Sequence, residues 1–351
     1  MSLRYFPVHL FSTLSVAYLL INNVSGTRAL GAGEAYPSAN KDRLGIVTSK
    51  SLSPSLVSIV TGFFSIPGNP NRDMETYKSY MQRFLPIIST PMLVYTQHED
   101  LGFLQSLRGK LPAQFKSFES VWGLPPVKSL RQDYVHQLTL DPERKIHVPE
   151  VFAVWNSKIW MILDASSINP YNSSYFLWVD IAATRWGEHP FRNWPDEARI
   201  HHLLQKHNNS ILAEIVKLPR GSLTGYQKDA PFYQKHFMAG GIIGTTAQKA
   251  RWLHEKFYSL HDEGVKRGVF IGKEQDLLNS LVLSNPEDFV LINDLYTEKT
   301  RQCPTWWYLY FFAWFSGDAE LQKDPKYAKC QRKPLLRLAP MIYGDIKSIV
   351  E

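Results

Sequence analysis

Apolar positions along the chain follow two patterns, short continuous runs and longer runs with helical spacing. The first continuous run, at 55–64, is rich in β-branched residues and predicts a strand buried on both faces. Residues 74–88 then repeat apolar positions at helical spacing behind Asp73, a suitable N-cap. A second strand at 90–97 and a second helix at 99–110 follow. This order predicts parallel strands joined by right-handed crossovers.

The alternation of strand and helix patterns continues along the chain. The further predicted elements are helices at 148–168, 246–268 and 273–286 and strands at 175–180, 236–244 and 288–292. The predicted fold class is therefore α/β. In open α/β sheets, ligands bind beyond the carboxyl ends of the strands, and Asp180 stands at one such end.

The N-terminal segment differs from the rest of the chain. One basic residue, Arg4, precedes an apolar stretch at 6–21, which at about 16 residues is short for a membrane span. Residues 1–26 are therefore predicted to be a signal peptide or signal anchor, with a buried core helix as the alternative. Residues 27–54 are rich in Gly, Ala, Ser and Lys and predict a stem or linker. Residues 55–351 are the predicted folded domain.

Sequons and cysteines bear on the cellular compartment. N-x-[ST] sequons occur at Asn23, Asn172 and Asn208, and each of them alone is a weak signal. Cys303 and Cys330 lack the spacing of a zinc site, and they could form a disulfide in an oxidising lumen or remain two buried thiols. With the N-terminal segment as membrane contact, we expect a Golgi or ER membrane protein with a luminal catalytic domain. A secreted protein is the alternative.

The net charge is +7, and the basic residues are scattered along the chain. Scattered charge is compatible with anionic partners such as nucleotide phosphates or a membrane surface. Nucleic-acid binding is not expected, because it typically needs a clustered basic stripe. The chain also lacks Walker, G-x-S-x-G, H-E-x-x-H and G-x-G-x-x-G motifs, which argues against NTPase, esterase, zinc-protease and dinucleotide-binding functions.

Asp180 directly follows a predicted buried strand and is the first candidate for chemistry. A carboxylate in that position can ligate Mn²⁺ or Mg²⁺, which often take their other ligands from substrate phosphates. It can equally form an ion pair with Arg185 or cap the turn made by the small residues that follow. The residues alone leave these alternatives open.

A glycine pair and an acidic segment contain further candidates, and each has an ordinary structural explanation as its alternative. Gly240 and Gly241 interrupt an apolar run, so either a ligand or a crossing helix approaches the backbone there. Glu274, Gln275 and Asp276 begin a predicted helix, where they could contact a sugar or simply favour the helix dipole.

The remaining candidates are basic and aromatic residues. Asn156 and Lys158 lie on an otherwise apolar helix, where they could reach a nucleotide phosphate or belong to a surface face. The aromatic segment at 306–315 could pack in the core, face a membrane or stack against an acceptor sugar.

Five segments occur in an order that resembles the HtrL/YibB family, whose members are regarded as glycosyltransferases. They are SIVTGFF in the first strand, W-N-x-K at 155–158, W-V-D with Arg185 at 178–185, G-G-x-x-G at 240–244 and the pair Glu274–Gln275. The resemblance covers roughly residues 55–292. It implies a GT-A-like fold, a nucleotide-sugar-binding α/β domain with a mixed, mostly parallel sheet flanked by helices.

The resemblance also implies transfer of a sugar from a nucleotide-sugar donor to a glycan, protein or lipid acceptor. Asp180 would be a catalytic and metal-binding residue, and Glu274 and Asp276 would be catalytic. The residues expected to bind the nucleotide-sugar are Thr61, Asn156, Lys158, Arg185, Gly240, Gly241 and Gln275. Ala182 stands where the Asp-x-Asp motif of such domains has its second Asp. A catalytically inactive glycan-binding or scaffold protein of the same fold is therefore the alternative.

Overall fold

Eight strands of the described residues form one mixed sheet in this computed structural model. The residues described are 54–69, 73–185, 187–215, 238–293, 312–318, 321, 323–325 and 335–336. The expected signal segment, nearly all of the stem and both cysteines lie outside them. Across the part of the chain that is described, no helix combines the length and apolar character needed to cross a membrane.

The strands share one sheet and differ in direction. Their bounds are β1 Val57–Phe63, β2 Met92–Gln97, β3 Ala113–Phe118, β4 Tyr175–Val179, β5 Ile211–Ile215, β6 Met238–Thr246, β7 Phe289–Asn293 and β8 Leu335–Leu336. Their order across the sheet is β3-β2-β1-β4-β6-β5-β7-β8. All run the same way except β6 and β8, which pair antiparallel with their neighbours.

Helices cover both faces of this sheet. Within the described residues they are α1 Met74–Phe84, α2 His98–Arg108, α3 Arg131–Leu140, α4 Pro149–Ile168, α5 Glu197–Lys206, α6 Ala247–Arg267 and α7 Glu274–Ser284. Alternate strand residues feed two apolar cores, because successive side chains point to opposite faces. In β4, Trp178 belongs to the core that includes residues of α4, α6 and α7, whereas Val179 belongs to the core that includes residues of α1, α2 and α5. The predicted α/β class with a mixed, mostly parallel sheet flanked by helices is confirmed.

The predicted elements all occur, with small shifts of their ends. Asp73 caps α1 as predicted, since its side chain accepts a hydrogen bond from Thr76 N. The sequence pattern did not predict β3, α3, α5, β5 or β8. The strand β3 is only half-buried at the sheet edge and has Gln, Lys and Ser between its apolar residues, so no continuous run marks it. The helix α3 has scarcely any apolar periodicity.

The described part of the aromatic segment packs in the core. Phe312 and Phe315 are fully buried, and the Phe312 ring stacks on Trp194 with centroids 3.8 Å apart. For 312–315 this favours core packing over an acceptor platform. Residues 306–311 lie outside the described part.

The chain order creates a reversal beside β1. It runs outward from β1 to β2 and β3 and then returns, so that β4 pairs with the other side of β1. Both pairings are parallel, which places the carboxyl ends of β1 and β4 side by side. Such a switch point leaves a crevice where open α/β sheets bind ligands.

A buried arginine fastens the edge of the sheet that bears α1 and α2. Arg108 is 2% exposed, and its Nη1 donates to Leu85 O and Ile88 O at 2.7 and 2.6 Å. Its Nη2 donates to Thr90 O and Pro112 O at 2.7 and 2.9 Å. Burial lowers the pKa of Arg108 to about 10, so it keeps its charge at neutral pH. One guanidinium therefore satisfies carbonyls from the end of α1 to the start of β3.

We predict that Arg108→Lys destabilises the protein by about 2–4 kcal/mol, because a lysine cannot reproduce the planar fork that bonds four carbonyls. Chemical denaturation measures the loss. Arg144→Lys is the matched control, since Arg144 is exposed and its replacement should cost under about 0.5 kcal/mol. Equal effects of the two variants would contradict this role for Arg108.

Candidate active site

A cleft of about 420 Å³ opens at the carboxyl ends of β1 and β4. Its walls come from the end of β1, the loop at 64–69, the start of α1, the first half of α4 and the segment after β4. Aromatic and charged side chains share the lining, among them Phe64, Tyr77, Trp155, Trp178, Lys158, Asp180 and Arg185. The switch point of the sheet is therefore a real cavity with the mixed lining of a small-ligand site.

The loop after β1 is fixed by a buried carboxylate. Asp100 at the start of α2 accepts hydrogen bonds from Ser65 N at 2.9 Å and Ser65 Oγ at 2.6 Å. This contact holds one wall of the cleft in place. The sequence analysis named neither this loop nor Asp100 as part of the site. The Pro and Gly residues of a loop directly after a buried strand were a signal that could have indicated a binding loop.

Asp180 is anchored at the tip of β4. Its backbone N–H donates to Gly241 O at 2.8 Å, so the neighbouring strand β6 sets its position. Its Oδ1 accepts a hydrogen bond from Trp178 Nε1 and forms an ion pair with Lys158 Nζ, both at 3.1 Å. A quarter of its side chain is exposed to the cleft. The sequence prediction placed this carboxylate correctly at a strand end.

Lys158 is the cation of the site. It is 3% exposed, and besides Asp180 its Nζ donates to Glu274 Oε1 at 2.6 Å and Gly240 O at 2.9 Å. These three contacts use all the N–H groups of an ammonium. Burial alone would lower the pKa of Lys158, but Asp180 and Glu274 outweigh burial and raise that pKa above its usual value. We call Lys158, Asp180 and Glu274 the lysine cage.

Glu274 reaches Lys158 because Gly240 has no side chain. A Cβ built on Gly240 would collide with Oε1 of Glu274. Of the two explanations for the glycine pair, a neighbouring helix approaching the backbone is therefore the one seen at Gly240. Burial raises the pKa of the Glu274 carboxyl, and Lys158 opposes that rise.

Arg185 lies on the wall of the cleft beyond β4. Its Nε donates to Ala182 O at 3.0 Å, which closes the turn after Asp180 and holds the guanidinium beside the cavity. The cleft thus brings together three predicted residues, Lys158, Asp180 and Arg185.

The other predicted residues lie outside the cleft lining. Thr61 is fully buried within β1. Asn156 donates to Phe152 O, Ile271 O and Gly272 O, and so holds the loop before α7. Gln275 Nε2 donates to Met238 O at 3.2 Å, and Asp276 is buried on α7. Asn156 and Gln275 thus have structural partners, and the binding or catalytic roles of all four residues stay predictions.

Among the described residues, two places could hold a divalent cation. Asp180 offers one cleft carboxylate, which fits Mg²⁺ or Mn²⁺ that takes most of its ligands from phosphates and water. The second place is the group of Asp141, Glu143 and His147, whose ligand atoms lie within 4.8 Å of one another. In that group His147 Nδ1 contacts Asp141 Oδ2 at 2.6 Å, and Glu143 forms an ion pair with Lys273.

Comparison with known proteins gives structural likenesses, among them two that are remote in sequence. No family model and no curated protein sequence matches the chain. The chain is similar in structure to the apo form of mouse xyloside xylosyltransferase 1, with 10% identity, a TM-score of 0.39 and coverage of 67% of this chain and 84% of that one.

A second similar structure is core-mannan synthase A (CmsA/Ktr4) from Aspergillus fumigatus in a Mn/GDP form. Its identity is 9%, its TM-score is 0.40, and the match covers 74% of this chain and 80% of that one. Both TM-scores are below 0.5, so the function has to be argued from the cleft itself.

We predict that Lys158→Met costs about 3–5 kcal/mol of unfolding free energy, because it leaves buried carboxylate charge without its cation. Adding Glu274→Met should recover part of the loss, since apolar replacement of both partners is better tolerated. Equilibrium denaturation measures each variant.

Lys116→Met is the control for the lysine cage. Its ion pair with Asp164 is partly exposed, with 32% and 18% of the two side chains accessible, and such pairs contribute about 1 kcal/mol or less. A loss at Lys158 no greater than at Lys116 would show that the lysine cage does not hold the site together.

Proposed function

We propose that the protein is a glycosyltransferase that moves a sugar from a nucleotide-sugar donor to a glycan, protein or lipid acceptor. The observation that supports this most is the cleft at the switch point of the sheet. There the buried Lys158 holds Asp180 beside aromatic walls. Aromatic faces suit a nucleotide base and a sugar ring, and fixed charges suit a diphosphate.

The diphosphate of the donor is assigned to Arg185. This residue lines the cleft, and the planar guanidinium matches phosphate oxygens. Lys158 has an indirect role in this proposal, because its three N–H groups already serve protein oxygens. It fixes the orientation of Asp180, and Glu274 acts through Lys158 as a positioning residue.

A divalent cation, Mn²⁺ or Mg²⁺, is proposed to bind at Asp180 together with the donor. Ala182 supplies no second carboxylate, so protein oxygens would contribute little beyond Asp180. When bound, the cation would neutralise charge on the diphosphate.

The reaction would break the bond between the sugar C1 and the diphosphate oxygen, form a bond from C1 to an acceptor oxygen, and release the proton of the acceptor hydroxyl to solvent or to the departing diphosphate. The departing diphosphate gains negative charge as that bond breaks. Arg185 at the cleft wall would stabilise this charge without reorganisation, because its Nε is already held by Ala182 O. The buried Trp178 beneath Asp180 keeps water away from one side of the carboxylate.

A catalytically inactive glycan-binding or scaffold protein is the second candidate. Two observations favour it: the absence of a second acid at Ala182, and the full use of Lys158 by protein oxygens. The two candidates differ in turnover of nucleotide-sugars, which only the first predicts.

The compartment completes the proposal. An N-terminal signal peptide or anchor in 1–26 would direct the chain to the secretory pathway, as a Golgi or ER membrane protein with a luminal domain or as a secreted protein. What supports this is the sequence pattern of the segment, which lies outside the described residues.

We predict that Asp180→Asn lowers nucleotide-sugar turnover roughly 10²–10³-fold, the usual effect of losing one transition-state charge contact. The melting temperature should fall less than in Lys158→Met, because the amide keeps the size of the side chain and Glu274 still neutralises Lys158. Melting temperature and turnover are measured on the same preparation over a panel of nucleotide-sugars.

Asp164→Asn is the control for that measurement. Asp164 is a carboxylate of α4 that bonds Lys116 and Tyr95 and is absent from the cleft lining. Its variant should keep wild-type turnover. Unchanged turnover in Asp180→Asn would end the catalytic assignment, and the absence of turnover in the wild type with retained sugar binding would favour the inactive alternative.

A further inference from the structure

Two of the three sequons occupy corresponding positions in the fold. Asn172 lies three residues before β4, and Asn208 lies three residues before β5. Both have positive φ, 51° and 54°, and both side chains are exposed in turns. The third sequon, Asn23, lies outside the described residues.

Both side chains are available to an enzyme. The structure gives neither Asn172 nor Asn208 a side-chain hydrogen bond within its described residues, in contrast to Asn156, Asn169 and Asn279, whose side chains bond the backbone. A glycan on either side chain would extend into solvent and would displace no side-chain hydrogen bond that Asn172 or Asn208 makes among the described residues.

The turn that bears Asn172 is rigid. The Asn169 side chain bonds both Ser173 N, at 2.7 Å, and Ser173 O, at 3.1 Å. Ser173 Oγ donates to Ser55 O at 2.6 Å, and Ser174 N donates to Leu56 O at 3.1 Å. Asn172 therefore projects from a fixed loop, and its exposure is a stable property of the folded domain.

The two sequons lie at the same end of the sheet, next to the amino-terminal ends of β4 and β5. Both β4 and β5 pair antiparallel with β6, where Tyr175 is opposite Thr246 and Leu212 is opposite Gly244. The starts of β4 and β5 thus flank the same end of β6, about 10 Å apart for two strand spacings. The cleft lies at the other end of β4, so a glycan beside the amino-terminal ends of β4 and β5 would leave the cleft open.

We propose that Asn172 and Asn208 are N-glycosylation sites, which lie together at the end of the sheet opposite the cleft. In each case the amide nitrogen would displace a lipid diphosphate from C1 of a lipid-linked oligosaccharide. The N–C1 bond forms, the C1–O bond breaks, and the amide loses one proton. This inference rests on the proposed secretory route and is independent of the proposed activity.

The test uses the full chain expressed in animal cells. The purified protein is treated with peptide N-glycosidase in ¹⁸O water, which converts each glycosylated asparagine to labelled aspartate, and its peptides are mapped by mass spectrometry. Label is expected at residues 172 and 208. The variants Asn172→Gln and Asn208→Gln should each remove one step of the gel shift on deglycosylation, and the double variant should remove both.

Asn209→Gln is the matched control, because Asn209 is exposed, has a φ of 55° and does not begin a sequon. It should leave the gel shift unchanged. The double variant Asn172→Gln, Asn208→Gln should bind a nucleoside diphosphate as the wild type does.

Two results would overturn the proposal. Unlabelled asparagine at 172 and 208 in chain recovered from the lumen would refute the sites themselves. Chain that stays outside the lumen, as shown by protease digestion of intact microsomes, would refute the route on which they depend. Neither result bears on nucleotide-sugar turnover, which is measured separately on the same protein.

Discussion

A buried ammonium held between two carboxylates is the contact on which the candidate site depends. Lys158 joins α4 to the tip of β4 through Asp180, to α7 through Glu274 and to β6 through Gly240 O. Because a buried charge without a partner is costly, these four elements pack favourably around Lys158 only when its carboxylate partners reach it. The absence of a Cβ at Gly240 gives Glu274 the room to complete it.

The same contact gives Asp180 a fixed orientation in the cleft. Its backbone is held by Gly241 O and its Oδ1 by Lys158 and Trp178, so the carboxylate is preorganised before any ligand arrives. Preorganised charge at a switch point of an α/β sheet is suited to a substrate that carries phosphate. This geometry is the observation that supports the proposed transferase function.

The sequence predicted the α/β class, most of the strands and helices, and the position of Asp180 at a strand end. It also named Lys158 as a nucleotide-sugar-binding residue, a role that stays a prediction. It could not predict that Lys158 and Glu274 are partners, because they are 116 positions apart and meet only once α7 has packed on β6. For the same reason Glu274 and Gln275 looked like substrate contacts, whereas α7 turns them toward β6 and the lysine cage. The edge strand β3 escaped notice because a half-buried strand needs no apolar run.

The central claim is that the cleft between β1 and β4 binds the diphosphate of a nucleotide-sugar. Amide hydrogen exchange with and without a saturating nucleoside diphosphate and Mn²⁺ tests this most directly. The account predicts slower exchange in the loop at 64–69 and in the segment 180–185, with little change in the turns that bear Asn172 and Asn208. Protection confined to 141–147, or no protection at either wall of the cleft, would contradict it.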